Sequence, residues 1–261
     1  MYKTIDNEEI QNCEIEYTKC FSKAVEKQDF IRFIDDLLKD MYYHNFTLIK
    51  NSNSDDELFR RIEDEILLRK TEGENFCNIV SFVSLSDYLR QKFENKPEIS
   101  VNGFYLFDTD KLSQLRGKND CTISKVSNEK MIDDVLRLDL EHDGDSLGVD
   151  FCTRRVYRRK DVYLSAEGVN SYVCYADNKA VGSCDLFINK KVGKIDDFSV
   201  SPTKQRQGYG TAILKFIIET ALSSGASNIY LVTDEDDTAK EMYQKNGFCK
   251  IGETTDLLFK I

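Results

Sequence analysis

The sequence predicts a mixed α/β protein, and three observations carry that reading. The chain has 261 residues, 41% of them hydrophobic and 31% charged, which is the balance of a globular protein with a buried core. From residue 121 onward, strand-like and helix-like segments alternate regularly. Near the end of that series, the run from Lys194 to Val200 leads through Gly208 and Gly210 into an apolar-periodic stretch that must be a helix.

Taken in order, the N-terminal half is the vaguer one. "DFIRFIDDLLKDM" (29–41) is helical in pattern and "YYHNFTLIK" (42–50) strand-like. "DDELFRRIEDEILLRK" (55–70) is helical, "FCNIVSFVS" (76–84) strand-like, "DYLRQKF" (87–93) helical and "ISVNGFYLFD" (99–108) strand-like. No glycine-rich anion loop occurs here. The polar stretch "DTDKLSQLRGKND" (108–120) lacks periodicity and contains Gly117, so a boundary is expected there, between an α/β domain over 1–115 and a second over 116–261.

After the boundary, "CTISKV" (121–126) alternates like a strand, and "NEKMIDDVLRLDLEH" (128–142) spaces Met131, Val135 and Leu138 at helical intervals. A basic helical segment follows at 150–160. "SYVCYAD" and "KAVGSCDLFIN" form a hairpin around Asp177-Asn178, "VGKIDDFSV" is the next strand, and a helix runs from the glycine pair to a C-cap at Gly225. "NIYLVT" is a strand and "DTAKEMYQKN" a helix ending at Gly247. "FCKIGE" and "TDLLFKI" are expected to close the chain as a terminal strand pair.

Composition narrows the function. The net charge is −10, which argues against a nucleic-acid partner and favours a neutral or cationic one. No apolar run approaches the ~18 residues of a membrane span, and "MYKTIDNEEIQNCEIEY" lacks the apolar core of a secretory signal. The eight scattered cysteines contain no C-x-x-C pair and read as reduced thiols; the expectation is a cytoplasmic protein without a structural metal. With only His44 and His142, imidazole chemistry has little material.

A strand, a glycine turn and a helix start together make an anion cradle, because backbone N–H groups and the helix dipole point at whatever sits there. A P-loop is excluded, since Thr211-Ala212 rather than Lys-Ser/Thr follows Gly210. A dinucleotide turn would need glycine where Ile213 stands, although Asp234 ends the next strand about where a ribose partner would sit. The whole phrase Gln205-Arg206-Gln207-Gly208-Tyr209-Gly210 fits Q/R-x-x-G-x-G/A. It resembles the pyrophosphate loop of the GNAT superfamily of acetyl-CoA-dependent N-acetyltransferases. "DDFSVSP" is similar to that family's fourth strand, and "DTAKEMYQKNGF" (237–248) to its last helix, usually N-x-A-x-x-x-Y-x-x-x-G-F. The element order β-α-α-β-β-β-α-β-α-β-β over 121–261 matches as well. One departure is Asp237 where the family usually has Asn.

The resemblance implies a GNAT domain in the C-terminal half, with the N-terminal half a smaller, diverged copy as in tandem members of the superfamily. It implies acetyl-CoA as cosubstrate, no metal, and a small-molecule or peptide amine as substrate, with no nucleic acid or membrane partner and a homodimer as one assembly. Cofactor contacts would come from Phe198, Ser199, Val200, Gln205, Arg206, Gln207, Gly208, Tyr209, Gly210, Thr211, Asp237 and Lys240. A backbone N–H within Phe198–Val200 would receive the oxyanion, and Tyr243 would protonate the leaving thiol. For the base, Asp196 and Asp197 are the candidates, alternation placing Asp196 with Phe198 and Val200, and Asp197 with Ile195 and Ser199; bound water or no base at all stays open. Val232 stands where some relatives carry a glutamate, so that route is closed. Cys174 and Cys184 read as buried thiols. "EHDGDS" (141–146) reads as a helix-ending turn, and "RRVYRRK" (154–160) as a solvated helix face. "TDEDD" (233–237) reads as acids favourably placed before a helix. A non-catalytic acyl-CoA-binding or regulatory module is the alternative, and a nucleotide-dependent oxidoreductase a third.

Overall fold

The structure, a computed structural model, describes residues 7–165 and 167–261, so the first six residues of the acidic N-terminal stretch lie outside it. In the N-terminal half the elements are α1 (Glu8–Lys19), β1 (Lys23–Glu26), β2 (Phe30–Ile34), β3 (Phe46–Ile49), α2 (Asp55–Thr71), β4 (Phe76–Ser81), α3 (Asp87–Lys92) and β5 (Glu98–Phe107). The C-terminal half comprises β6 (Thr122–Lys125), α4 (Glu129–Leu147), α5 (Val149–Tyr163), β7 (Asn170–Ala176), β8 (Lys179–Asn189), β9 (Val192–Val200), α6 (Tyr209–Ser223), β10 (Asn228–Asp234), α7 (Ala239–Lys245) and β11 (Phe248–Lys260).

The eleven strands of the described residues form one sheet, in the order β1-β2-β3-β4-β11-β5-β10-β9-β8-β7-β6. That order is nearly palindromic. Matching β1–β5 to β7–β11 turns one side of the sheet into the other, and β3 runs parallel to β4 as β9 does to β10. The N-terminal half therefore repeats the helix-β-β-β-α-β-α-β series of the C-terminal half. The halves also exchange their last strands. β5 pairs with β10, from Tyr230↔Leu106 to Asp234↔Asn102, while β11 pairs with β4. β5 and β11 pair with each other from Phe248↔Phe107 to Leu258↔Glu98, so the seam between the halves is a continuous ladder.

This seam corrects the expected terminal strand pair. "FCKIGE" and "TDLLFKI" are one strand, with a bulge between Lys250 and Gly252 in place of a turn. The partner that a hairpin would have supplied comes instead from β5, about 140 residues earlier in the chain, which local turn chemistry cannot reveal. A second correction concerns residues 29–41. Their apolar positions satisfy helical spacing, but Phe30–Ile34 is β2, with Ile31 and Phe33 buried. Pairing on both sides, with β1 and β3, overrides the local pattern. The rest of that stretch is a turn tied down by buried polar groups, Asp35 N donating to Asn45 Oδ1 at 2.8 Å.

α1 was not apparent from apolar periodicity, because "EEIQNCEIEYTK" is mostly polar. It is set by the Asn7 cap, which accepts from Ile10 N at 3.1 Å, by Glu8 and Glu9 in the first turn, and by burial of Ile10, Cys13 and Tyr17. It packs on β8 and β9 of the other half. One apolar cluster lies beneath α1, α4 and α5, another between the opposite face of the sheet and α6–α7, and a third under α2 and α3. The hairpin at Asp177-Asn178 is as expected: both residues have positive φ, 50° and 60°.

Candidate active site

The parallel ladder between β9 and β10 ends at Leu231↔Ile195, yet β9 continues to Val200 and β10 to Asp234. The two strands splay apart there, leaving the β10-facing main chain of residues 196–200 without a ladder partner on that side. The glycine loop begins at the end of β9, with a 3-10 turn at Pro202–Lys204. Gln205 Nε2 donates to Val200 O at 3.2 Å and Gln207 Nε2 to Thr203 O at 3.0 Å, folding the loop on itself. Arg206 has φ +59° and Gly208 φ +92°. Only Gly208 takes this left-handed form without strain, so the loop stores a little at Arg206.

α6 starts immediately afterwards. Gly208 is its N-cap and supplies no side-chain acceptor, and there is no acid in the first turn. The N–H groups of Tyr209, Gly210 and Thr211 are therefore left for an anion. A Cβ at Gly210 would lie 3.3 Å from the Phe198 ring, so this helix start sits tightly against the splayed end of β9. The corresponding helix of the other half, α2, is built the opposite way. Ser54 Oγ caps Glu57 N at 3.2 Å, and Asp55, Asp56 and Glu57 fill its first turn, which repels phosphate. The connector between the halves braces the glycine loop: Lys118 N donates to Gly208 O at 3.2 Å, and Lys118 Nζ donates to Tyr209 Oη at 3.2 Å.

Tyr243 on α7 is 8% exposed, its ring edge-on to Phe198 at 6.1 Å and to Phe248 at 6.0 Å. Burial, reinforced by Cys184, Asp196 and Asp237, pushes its hydroxyl well above the ordinary tyrosine value, so it holds its proton at neutral pH. Asp237 Oδ1 accepts from Ala239 N at 3.0 Å in the turn that leads into α7, whose N-cap position is held by Thr238. Lys240 turns away from the loop and bonds the backbone and carboxyl of Glu235. Cys184 is fully buried, and burial raises its thiol, leaving it inert.

The alternation expected on β9 breaks at Asp197. That residue has φ +44°, and between Asp196 and Ser199 the strand carries one residue more than β8 does. The bulge puts Phe198 and Val200 on the α6 side with Ile195, not with Asp196. Asp196 faces α1 and pairs with Lys194 at 3.2 Å; Lys194 also meets Glu14 of α1 at 2.8 Å. Asp197 is ion-paired to Arg159 and accepts from Tyr163 Oη at 3.4 Å. Tyr163 also donates to Asp185 at 2.7 Å. Burial pushes the Asp185 carboxyl up to about 7, against the opposing pull of Arg159 and Tyr163.

Two further expectations are corrected by these contacts. "RRVYRRK" is not a solvated face: Arg158 and Arg154 reach Asp35 and Asp40 of the other half, and Arg159 is buried against Asp197. "EHDGDS" continues as helix to Leu147, with Asp143 ion-paired to Arg155. Among the described residues no group of His, Cys, Asp or Glu is placed to hold a metal, and no helix is long and apolar enough to cross a membrane.

On the α1 side of the splay a cleft of about 450 Å³ opens between the halves. Its walls include Phe33, Phe46 and Phe104, and Asp196, Asp197, Val232 and Asp234 line it at the splay. Glu14, Arg159 and Asp256 also line it, and reading the sequence missed all three as site residues. Glu14 lies in a helix without apolar periodicity, Arg159 in an apparently ordinary basic run, and Asp256 in a presumed hairpin.

Residues 138–248 match the model of the Acetyltransferase (GNAT) family. Over that segment the chain is similar to GNAT domains. That family transfers acyl groups from acyl-CoA, and the uncapped start of α6 and the glycine approach at Gly210 fit a pyrophosphate. A curated relative, "Uncharacterized N-acetyltransferase CgeE" of Bacillus subtilis (strain 168), is 28% identical over 145 residues, 54% of this chain and 56% of the relative. The match thus spans little more than half the length of that protein. Among solved structures, a protein from Staphylococcus epidermidis ATCC 12228 described as functionally unknown aligns with TM-score 0.77 and 21% identity, over 92% of this chain and 94% of its own. A GCN5-related N-acetyltransferase from Kribbella flavida aligns with TM-score 0.71 and 14% identity, over 96% and 94%. These likenesses concern fold, and they extend the GNAT-like architecture over both halves.

Proposed function

We propose that the protein is an N-acetyltransferase that moves an acetyl group from acetyl-CoA to a primary amine by direct attack in a ternary complex. The observation that carries this reading is the meeting, at one point, of the splayed β9–β10 main chain, the uncapped α6 start and the buried Tyr243 hydroxyl. Gln205–Thr211 receive the pyrophosphate, with Arg206 supplying positive charge. The free main chain of Phe198, Ser199 and Val200 accepts the pantetheine arm in strand fashion and donates an N–H to the carbonyl oxygen as it becomes an oxyanion.

The amine must be neutral to attack, and a free alkyl ammonium has a pKa near ~10.4. Asp196, at the splay with its carboxylate toward the cleft, takes the proton directly or through a water. Asp197, committed to Arg159, shapes the bulge. As the C–N bond forms and the C–S bond breaks, Tyr243 donates its proton to the departing sulfur. Asp237 serves the helix that carries Tyr243, while Lys240 holds the preceding loop.

Calorimetric titration with acetyl-CoA, repeated on Gly208→Trp, tests this. Micromolar binding lost in the variant, together with thiol release on adding an amine, is expected. A folded wild-type protein that ignores acetyl-CoA overturns the reading.

A further inference from the structure

The cleft beside the splay contains more polar groups than its own contacts satisfy. Among the described residues, Tyr17 Oη, His44 Nε2, Arg159 Nε and Asp256 Oδ1 are buried without a hydrogen-bond partner, and all four residues line this cleft. Buried polar atoms are normally paired, and a cluster of orphans in the walls of one cavity points to a site whose polar groups are incomplete on their own.

The charges are unevenly settled as well. Glu14 and Asp196 share Lys194, and Asp197 has Arg159. Asp234 and Asp256 have no cation among their described contacts. Asp234 accepts from Asp236 N at 2.8 Å, and Asp256 Oδ2 accepts from Asn102 Nδ2 at 2.9 Å. Asp256 lines the cleft and is only 4% exposed, and its second oxygen, Oδ1, is shielded from bulk solvent without a partner. An unpaired carboxylate so buried is costly, and a cation that enters the cleft recovers that cost.

Resting on the acyltransfer reading above, we propose that the amine substrate carries a second ammonium, and that this group binds at Asp256 and Asp234 while the first reacts at the splay. β11, which carries Asp256, lies two strands from β10 and three from β9, so Asp256 sits roughly 10–14 Å across the sheet from the splay at ~4.8 Å per strand, with Asp234 on β10 at the nearer side. That is the reach of an extended diamine rather than of a single amino group. Phe104, on β5 between β11 and β10, provides apolar wall for the carbon chain between the charges, and Phe33 and Phe46 line the cleft on the far side of β11. Burial, with Asp234 and Glu14 nearby, raises the Asp256 carboxyl to about 7, so an arriving ammonium stabilises the ionised form and binding releases a proton below that pH.

The test is calorimetry on the full chain with coenzyme A present, titrating 1,8-diaminooctane and spermidine, whose terminal nitrogens reach that far, against octylamine. In wild type the diamines are expected to bind about 30-fold or more tighter than the monoamine, as a desolvated charge pair would give. In Asp256→Asn that preference falls to about threefold or less, while circular dichroism shows the same fold. Asp234→Asn serves as the second variant and should lower the preference in the same direction. Lysine and a diamino sugar are the other arms, because both offer the same second ammonium; Asp256-dependent tight binding of either supports the proposal and names the source. Equal binding of diamine and monoamine in wild type, or a preference that survives both substitutions, overturns it. A parallel acetyl-CoA titration keeps the two claims apart: failure to bind acetyl-CoA removes the enzyme reading but leaves the diamine measurement intact.

Discussion

Gly117 offers a direct test of whether the connector between the halves supports the glycine loop. A Cβ placed there would lie 2.4 Å from Ala212 Cα, 2.5 Å from Ala212 N and 2.8 Å from Ala212 Cβ. These are atoms of a helix's first turn and cannot swing aside as a flexible side chain would. In Gly117→Ala the connector must retreat by about 1 Å to reach ordinary contact, which strains or breaks the Lys118 N to Gly208 O bond. Overpacking costs about 1–3 kcal/mol and a lost hydrogen bond about 1 kcal/mol, offset by about 0.5 kcal/mol from the stiffer unfolded chain. The expected net loss is about 2–3 kcal/mol, which for a chain of this size lowers Tm by roughly 4–10 °C. Displacing the loop should also weaken acetyl-CoA about tenfold, the equivalent of ~1.4 kcal/mol. Thermal unfolding and calorimetry read both effects. A variant that melts within about 1 °C of wild type and binds acetyl-CoA as tightly would show that the connector does not brace the loop.

Other expectations follow from the same geometry. Tyr243→Phe should leave acetyl-CoA binding within about twofold but lower kcat about 100-fold, since it removes only the proton donor; an unchanged kcat eliminates that role. Arg206→Gly relieves left-handed strain worth about 1–2 kcal/mol yet weakens acetyl-CoA, and the salt dependence of binding should shrink with it. Asp185 and Asp256 are both held near 7 by burial, above the unfolded carboxylate value. Between about pH 4 and 7 the native state therefore holds more protons than the unfolded state, and these groups make stability fall as pH rises, by up to about 4 kcal/mol each. Urea midpoints at pH 5 and 8 should accordingly converge in Asp256→Asn relative to wild type; an identical pH slope in both proteins contradicts the assignment. Arg158→Ala leaves the buried Asp35 without its cross-half cation and should cost about 3 kcal/mol, measured by urea unfolding.

Much of the C-terminal half was legible because its signals are local. A glycine that must adopt positive φ, a turn at Asp177-Asn178 and apolar spacing along α4 and α6 act within a few residues of themselves. Gly208 and Gly210 named the loop, and Tyr243 was marked by its place in a helix phrase. Elsewhere local pattern misled. The bulge at Asp197 turned Phe198 to the face opposite the one strict alternation assigns. The apolar residues of 29–41 fitted a helix as well as a strand, and only their pairing with β1 and β3 decided between them.

The cleft was the least legible part, because its residues come from distant places in the chain. Glu14 reaches it from α1, Arg159 from α5 and Asp256 from β11, and no spacing rule links them. By itself the sequence determined which segment could hold a pyrophosphate, since that depends on backbone freedom and an uncapped helix start. Only the tertiary structure decided where an amine could approach it. The exchange of β5 and β11 joins the two halves into one sheet, and the cleft lies at that junction, built from pairings up to 160 residues apart that leave no trace in local propensity.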